Sequence, residues 1–130
     1  MKQKVILLVE DNPDDVDLTL RSLKKIGVQS EVIVARDGAE ALDYLFATDA
    51  RDNRSSSIIP SLVLLDLKLP KIHGLEVLQR IRTKEHTKRL PVAILTSSDD
   101  EQDLVESYGL GVTKYIRKPV DIAQLSEVLR

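Results

Sequence analysis

The sequence predicts an α/β domain built on a parallel sheet of five short strands, each followed by a helix. Three observations carry this reading. Four short runs rich in Val, Ile and Leu are unbroken rather than alternating, which marks strands buried on both faces, as in a parallel sheet covered by helices. The segments between the runs carry helical spacing instead. Strand and helix then alternate along the whole chain, the pattern of an α/β sheet with right-handed crossovers. Leu, Ile, Val and Phe supply about a third of the 130 residues, enough for the core of one domain and well clear of disorder.

The elements follow in order. Val5 to Val9 is the first strand. Between Asp14 and Ile26, Val16, Leu20 and Leu23 recur at helical spacing, Asp14, Asp15 and Asp17 suit the positive end of the helix dipole, and Gly27 ends the helix. Val32 to Ala35 is the second strand. Asp37 and Glu40 form a capping-box pattern ahead of the stripe Ala41, Leu42 and Leu45. Thr48 to Pro60, charged and then serine-rich, is the one long connection, a surface loop or a helix extension. Leu62 to Leu65 is the third strand, followed after Gly74 by the stripe Val77, Leu78 and Ile81. Val92 to Leu95 is the fourth. Ser98 and Glu101 make a second capping box before Leu104, Val105 and Tyr108, with Gly109 as the stop. Lys114 to Arg117, centred on Tyr115 and Ile116, is a weaker fifth strand, and Asp121 caps a last helix through Ile122, Leu125 and Leu129.

Composition narrows the function. Nineteen basic and twenty-one acidic residues leave a net charge of −2, with no global pull toward nucleic acid or anionic membrane. The basic cluster Arg80, Arg82, Lys84, Lys88 and Arg89 lacks interleaved aromatics and reads as a solvated helix end. There is no Cys, so disulfides, thiolate metal sites and cysteine nucleophiles are excluded. Lys2 and Lys4 precede Val5 to Val9, but that run is too short for a signal peptide, and Glu10 and Asp11 follow where small residues would lie. No run reaches membrane-spanning length. His73 and His86 read as exposed and cannot pair as ligands. The expectation is a single soluble, cytoplasmic domain over residues 1–130.

Ligands of open parallel sheets bind beyond the carboxyl ends of the strands. Glu10 and Asp11 follow the first strand, Asp66 lies late in the third, Thr96 and Ser97 end the fourth, and Lys118 and Pro119 follow the fifth. Three carboxylates, a hydroxyl and an ammonium thus converge on one sheet edge. Carboxylates gathered so closely repel one another, and a divalent cation resolves the conflict. Oxygen-only ligation suits Mg²⁺ or Mn²⁺ completed by waters. Such a cation commonly shares its open positions with a phosphoryl group. Lys118 would add positive charge, Thr96 a hydroxyl donor, and Asp66 is the best-placed nucleophile, since a carboxylate can attack phosphorus to form an acyl phosphate. Asp14 and Asp15 are read as serving the first helix rather than the metal.

Glu10-Asp11, Asp66 within Leu65-Asp66-Leu67-Lys68-Leu69-Pro70 with Gly74 downstream, Thr96-Ser97, and Tyr115-Ile116-Arg117-Lys118-Pro119 together resemble the receiver domain of two-component response regulators, over essentially the whole chain. The resemblance implies a flavodoxin-like, doubly wound five-stranded parallel sheet in order 2-1-3-4-5 flanked by five helices. It implies that Asp66 is the phosphoacceptor, charged by a sensor histidine kinase or a phosphotransfer protein. It further implies that Mg²⁺ is held by Glu10, Asp11, Asp66 and the backbone carbonyl of Lys68, and that Thr96 and Lys118 contact the attached phosphoryl group. Tyr115 acts as a switch residue, and the Lys118-Pro119 bond is cis. The domain catalyses only its own phosphorylation and dephosphorylation, without an external substrate.

Departures from the family pattern are few. Leu69 stands where Met is common, a volume-conserving change. Lys68 and Ser98 hold positions that tune phosphoryl lifetime, and Lys68 either shields the phosphoryl group from water or points to solvent. The long Thr48 to Pro60 segment, Asp43-Tyr44-Leu45-Phe46 and the lack of an output domain after Arg130 resemble the small stand-alone regulators partnered with bacterial phytochrome kinases. Signalling through protein contacts follows, with a homodimer or output surface on helices 4 and 5 and strand 5 around Tyr115, Leu104, Leu125 and Leu129. Rival readings fare worse. A nucleotide or flavin site needs a Gly-rich or hydroxyl-rich loop where Glu10-Asp11-Asn12-Pro13-Asp14-Asp15 stands. An aspartyl phosphohydrolase needs an Asp where Lys68 stands. A degenerate receiver acting only as a binding module is opposed by the intact acidic pair, Asp66 and Lys118.

Overall fold

In the computed structural model, residues 4–47 and 58–129 are described. Along them run β1 (Val5–Val9), α1 (Pro13–Ile26), β2 (Glu31–Ala35), α2 (Gly38–Phe46), β3 (Leu62–Asp66), α3 (Gly74–Thr83), β4 (Val92–Thr96), α4 (Asp99–Ser107), β5 (Lys114–Arg117) and α5 (Ile122–Leu129). The strands form one sheet in order β2-β1-β3-β4-β5, every neighbouring pair parallel, as the resemblance implied. The Thr48 to Pro60 connection falls outside the described residues except at Ile58 to Pro60, where the Ile58 carbonyl accepts from the Tyr44 hydroxyl at 2.6 Å. Among the described residues, no helix is long and apolar enough to cross a membrane.

Successive strand residues point to opposite faces, and the two faces make two cores. Leu7, Val9, Val63, Leu65, Val92 and Ile94 pack against α2 through Ala41, Leu42 and Leu45, against α3 through Val77, Leu78 and Ile81, and against α4 through Val105. Ile6, Leu8, Leu62, Leu64, Ala93, Leu95 and Ile116 pack against Val16 and Leu23 of α1 and Leu125 of α5. Every residue of β1, β3 and β4 is buried, the physical origin of the unbroken apolar runs. β2 and β5 are the edge strands, only partly buried, so Val32 to Ala35, though unbroken, is not buried on both faces as the sequence suggested, and β5 carries Lys114 and Arg117 and gives the weakest strand signal.

The helix starts are set by side-chain caps. Asn12 Oδ1 accepts from the amides of Asp14 and Asp15 at 2.8 and 3.3 Å, so α1 begins at Pro13, a residue suited to a first turn. Asp37 caps α2 through the Glu40 amide at 2.8 Å, Ser98 caps α4 through the Glu101 amide at 3.3 Å, and Asp121 accepts from Gln124 at 2.8 Å ahead of α5. Gly27 ends α1 in the left-handed conformation, at φ 89°.

Three further sequence expectations need correction. Leu125 is fully buried in the α1–α5 core, so it does not belong to an outward surface, while Leu129 is partly buried and packs against the same core. The exposed apolar side chains near that end are Leu104, Tyr108 and Ile122. The leucine-rich face of α5 is spent on the sheet. Arg82 is no solvated helix end: its guanidinium donates to the carbonyls of Leu110, Lys88, Leu90 and Gly111 at 2.6, 3.2, 2.8 and 2.8 Å. His86 is half-buried, with Nε2 3.0 Å from the Leu45 carbonyl, whereas His73 is exposed and caps α3, Nδ1 accepting from Leu75 at 3.2 Å.

Candidate functional site

Register brings the acidic residues together. Val9 of β1 lies level with Leu65 of β3, so one step further Glu10 comes beside Asp66. The Glu10 amide donates to the Ala35 carbonyl at 3.0 Å, which carries β1's alignment one residue past the strand. Glu10 is fully buried and Asp66 nearly so, at 5 % exposure, while Asp11 is exposed. One carboxylate oxygen from each of Glu10, Asp11 and Asp66 falls within 4.8 Å of the others.

Lys118 enters from the opposite side. It follows β5, its amide donating to the Thr96 carbonyl at 2.8 Å, and the Lys118-Pro119 bond is cis. Its Nζ lies 2.7 Å from Glu10 Oε1, 3.0 Å from Asp66 Oδ2 and 3.1 Å from Asp15 Oδ2. Asp15 therefore joins the site, although its place in the first turn of α1 suggested only a helix-dipole role. The second oxygen of Asp66 accepts from the Lys68 amide at 3.1 Å. The Lys68 side chain points away from Asp66, exposed, with Nζ 3.8 Å from Glu101 Oε1.

Electrostatics match this crowding. Burial, with Asp66 close by, pushes the Glu10 carboxyl up to about 7, even though Lys118 pulls the other way. Burial alone would lower the Lys118 ammonium, but Glu10 and Asp66 outweigh it and hold it above the ordinary lysine value. Lys118 faces three carboxylates, and Asp11 adds a fourth beside Glu10 and Asp66, which leaves a surplus of negative charge. Glu10 Oε1 touches Lys118 yet receives no aligned hydrogen bond. Buried carboxylates in excess of the one ammonium, with only oxygen donors present, fit a hard divalent cation such as Mg²⁺ or Mn²⁺.

Gly74 explains the spacing downstream of Asp66. A Cβ there would fall 2.3 Å from the Asp66 carbonyl oxygen and 2.6 Å from the Leu67 Cα, and the Gly74 amide donates to the Leu67 carbonyl at 2.9 Å. Only glycine lets α3 start this close to the strand end that carries Asp66.

The hydroxyl of Thr96, buried at the end of β4, is already engaged. It lies 2.7 Å from Glu101 Oε2 and 2.8 Å from the Ser98 carbonyl, and accepts from the Ser98 amide at 3.2 Å. Sequence reading assigned Glu101 only to the cap of α4; its reach back to β4 was missed. Tyr115 is half-buried on β5 against the α2–α4 core, and burial, helped by the Glu106 charge, raises its hydroxyl pKa.

Comparison with known proteins agrees with fold and site. Residues 6–130 match the response regulator receiver domain family, and the chain belongs to that family. It is 40% identical to the response regulator Rcp1 of Synechocystis sp. over 98% of this chain and 84% of that protein. A structure of Rcp1 in its Mn²⁺-bound form superimposes with a TM-score of 0.77, at 40% identity over 96% of this chain and 88% of that one. The bacteriophytochrome response regulator AtBRR is 52% identical, with a TM-score of 0.89 over 99% of this chain and 91% of that one. The phosphorylated cyanobacterial phytochrome response regulator RcpA is 40% identical, with a TM-score of 0.79 over 98% and 89%. The chain is thus a receiver domain of a phosphorylation-activated response regulator, homologous to phytochrome response regulators.

Proposed function

We propose that Asp66 accepts a phosphoryl group from the phosphohistidine of a sensor histidine kinase or phosphotransfer protein, with Mg²⁺ held by Glu10, Asp11, Asp66 and the backbone carbonyl of Lys68. The observation that carries this reading is the setting of Asp66, nearly buried, beside the acidic pair and 3.0 Å from Lys118. Bound there, Mg²⁺ supplies positive charge to the phosphoryl oxygens. In the transfer, a carboxylate oxygen of Asp66 attacks phosphorus. The new O–P bond forms as the donor's N–P bond breaks, and the imidazole leaves with the electron pair. Lys118, within reach of Asp66, neutralises the transferred group, and Thr96 donates to it once its hydroxyl turns toward Asp66. Later hydrolysis releases inorganic phosphate and restores the carboxylate. The chain thus catalyses its own phosphorylation and dephosphorylation, in the cytoplasm, without turning over an external substrate.

Similarity to proteins named as phytochrome response regulators supports a phytochrome-type kinase as donor. The surface of α4, β5 and α5, with Tyr115 as the switch and Leu104, Tyr108 and Ile122 exposed nearby, is the output or homodimer face. Sedentary monomer behaviour at high concentration, with and without phosphorylation, would remove the dimer.

Intact-protein mass after incubation with a small phosphodonor and Mg²⁺ tests the acceptor. One phosphoryl adduct is expected, absent in Asp66→Asn and with EDTA. No adduct on folded wild-type protein would leave only the binding-module reading.

A further inference from the structure

The capping box at the start of α4 departs from its usual form. In that motif the third-position Glu reaches back to the amide of the capping residue. Glu101 instead passes over Ser98: its Oε2 accepts from the Ser97 amide at 2.7 Å and lies 2.7 Å from the Thr96 hydroxyl and 3.2 Å from the Ser97 hydroxyl. The Ser98 amide, left over, donates to Thr96 Oγ1. The Glu101 side chain is only 15% exposed, and Lys68 Nζ stands 3.8 Å from its other oxygen. A hydroxyl, an amide and an ammonium thus surround one carboxylate, the donor set of a small anion site.

The Thr96 hydroxyl has a single hydrogen. Two resting acceptors share it, Glu101 Oε2 at 2.7 Å and the Ser98 carbonyl at 2.8 Å, and while it points to either it cannot serve an anion on Asp66. We propose that Glu101 is an internal anion that competes with the phosphoryl group for the Thr96 hydroxyl, making it a positioning residue that sets how readily phosphorylated Asp66 draws Thr96 inward. This rests on the reading of Asp66 as phosphoacceptor. Since hydrogen bonds to a carboxylate are roughly twice as strong as those to a neutral acceptor, Glu101 is the stronger of the two; Glu101→Gln weakens its hold and Glu101→Ala removes it, leaving the Ser98 carbonyl as the remaining competitor. The phosphorylated form then gains what the resting form loses. The coupling is reciprocal: phosphorylation should loosen Glu101, and with it the first turn of α4.

The test is titration with beryllofluoride and Mg²⁺, a non-covalent phosphoryl analogue, followed by ¹⁹F NMR. Wild type, Glu101→Gln, Glu101→Ala, Thr96→Ala and the double variant Thr96→Ala/Glu101→Ala are compared. Binding to Glu101→Ala should tighten on the order of tenfold, with Glu101→Gln between it and wild type. In the Thr96→Ala background the gain should be largely lost. Unchanged or weaker binding by both Glu101 variants, with circular dichroism showing them folded, overturns the proposal. An equal gain in both backgrounds also overturns it, because Glu101 would then act by loosening α4 rather than through Thr96. If wild type binds no beryllofluoride and forms no phosphoryl adduct, the Asp66 reading falls and takes this one with it.

Discussion

Asp15 and Lys118, 103 positions apart in sequence, meet at 3.1 Å, so the first turn of α1 is tied to the bend between β5 and α5. Lys118 also holds Glu10 and Asp66, and its removal would leave three carboxylates facing one another. Breaking a buried ion pair from one side costs about 3 kcal/mol. Lys118→Met should therefore lose about that much stability in metal-free urea unfolding, and Mg²⁺ should restore more of it than Mg²⁺ adds to wild type. Asp15 is the more exposed partner, so Asp15→Asn should cost less than about 1 kcal/mol. Equal losses for the two variants would refute this ranking.

Glu10 should make the proposed metal site sensitive to pH. Its folded, metal-free carboxyl is raised from the ordinary 4.5 to about 7, so within that window the folded chain keeps a proton the unfolded chain has lost. The sign follows: Glu10's contribution to stability is complete below about pH 4.5 and is lost as pH rises through about 7. Mg²⁺ requires the ionised form, so its affinity should climb across the same window with release of a proton. Melting temperature measured with and without Mg²⁺ across this range should show a growing gap. A pH-independent gap would show that Glu10 is not a ligand. At about a hundred times the dissociation constant, Mg²⁺ adds about 2.7 kcal/mol.

Gly74 and Gly27 predict different kinds of damage. At Gly74 a methyl group would collide with the backbone at Asp66 and Leu67, which cannot yield cheaply, so Gly74→Ala should cost about 2 kcal/mol or more. It should also slow phosphorylation, because the displaced strand end carries Asp66, the proposed acceptor. Gly27 meets nothing within 4 Å but sits at φ 89°, so Gly27→Ala should cost about 1 kcal/mol through backbone strain alone and leave phosphorylation unchanged. Urea unfolding and adduct formation on both variants separate the two effects. A Gly74→Ala protein phosphorylated at the wild-type rate would contradict the argument.

What could be read from the chain, and what could not, divides on physical range. The burial of β1, β3 and β4, the Asp37 cap and the Gly27 stop stand where the local pattern put them, whereas the unbroken run of β2 does not reveal that it lies at the sheet edge. The convergence of Glu10, Asp11, Asp66 and Lys118 followed from one topological rule about strand ends. Asp15 and Glu101 escaped because each satisfies a local rule, helix dipole or capping box, while its side chain answers a partner set by tertiary packing. Leu125 was misplaced because a stripe on a helix shows amphipathicity without showing which neighbour it faces. The Thr96 hydroxyl was identified as a donor, but its resting partner lies beyond β4, on α4.

Arg82 escaped for the same reason, and its prediction is correspondingly sharp. Nε donates to Leu110, one terminal nitrogen to Lys88 and Leu90, and the other to Gly111. One guanidinium thus joins the end of α3 to the chain entering β4 and to the turn before β5. Burial lowers its pKa while leaving it charged. A lysine ammonium cannot follow this fork, so Arg82→Lys should leave carbonyls unsatisfied and cost about 2 kcal/mol. Arg80, in an exposed pair with Glu76 at 2.7 Å, is the control: Arg80→Ala should change stability by less than about 0.5 kcal/mol. Both variants should be phosphorylated at the wild-type rate, because neither side chain approaches Asp66. An Arg82→Lys protein as stable as wild type in urea would show that the four carbonyl bonds contribute nothing net over water.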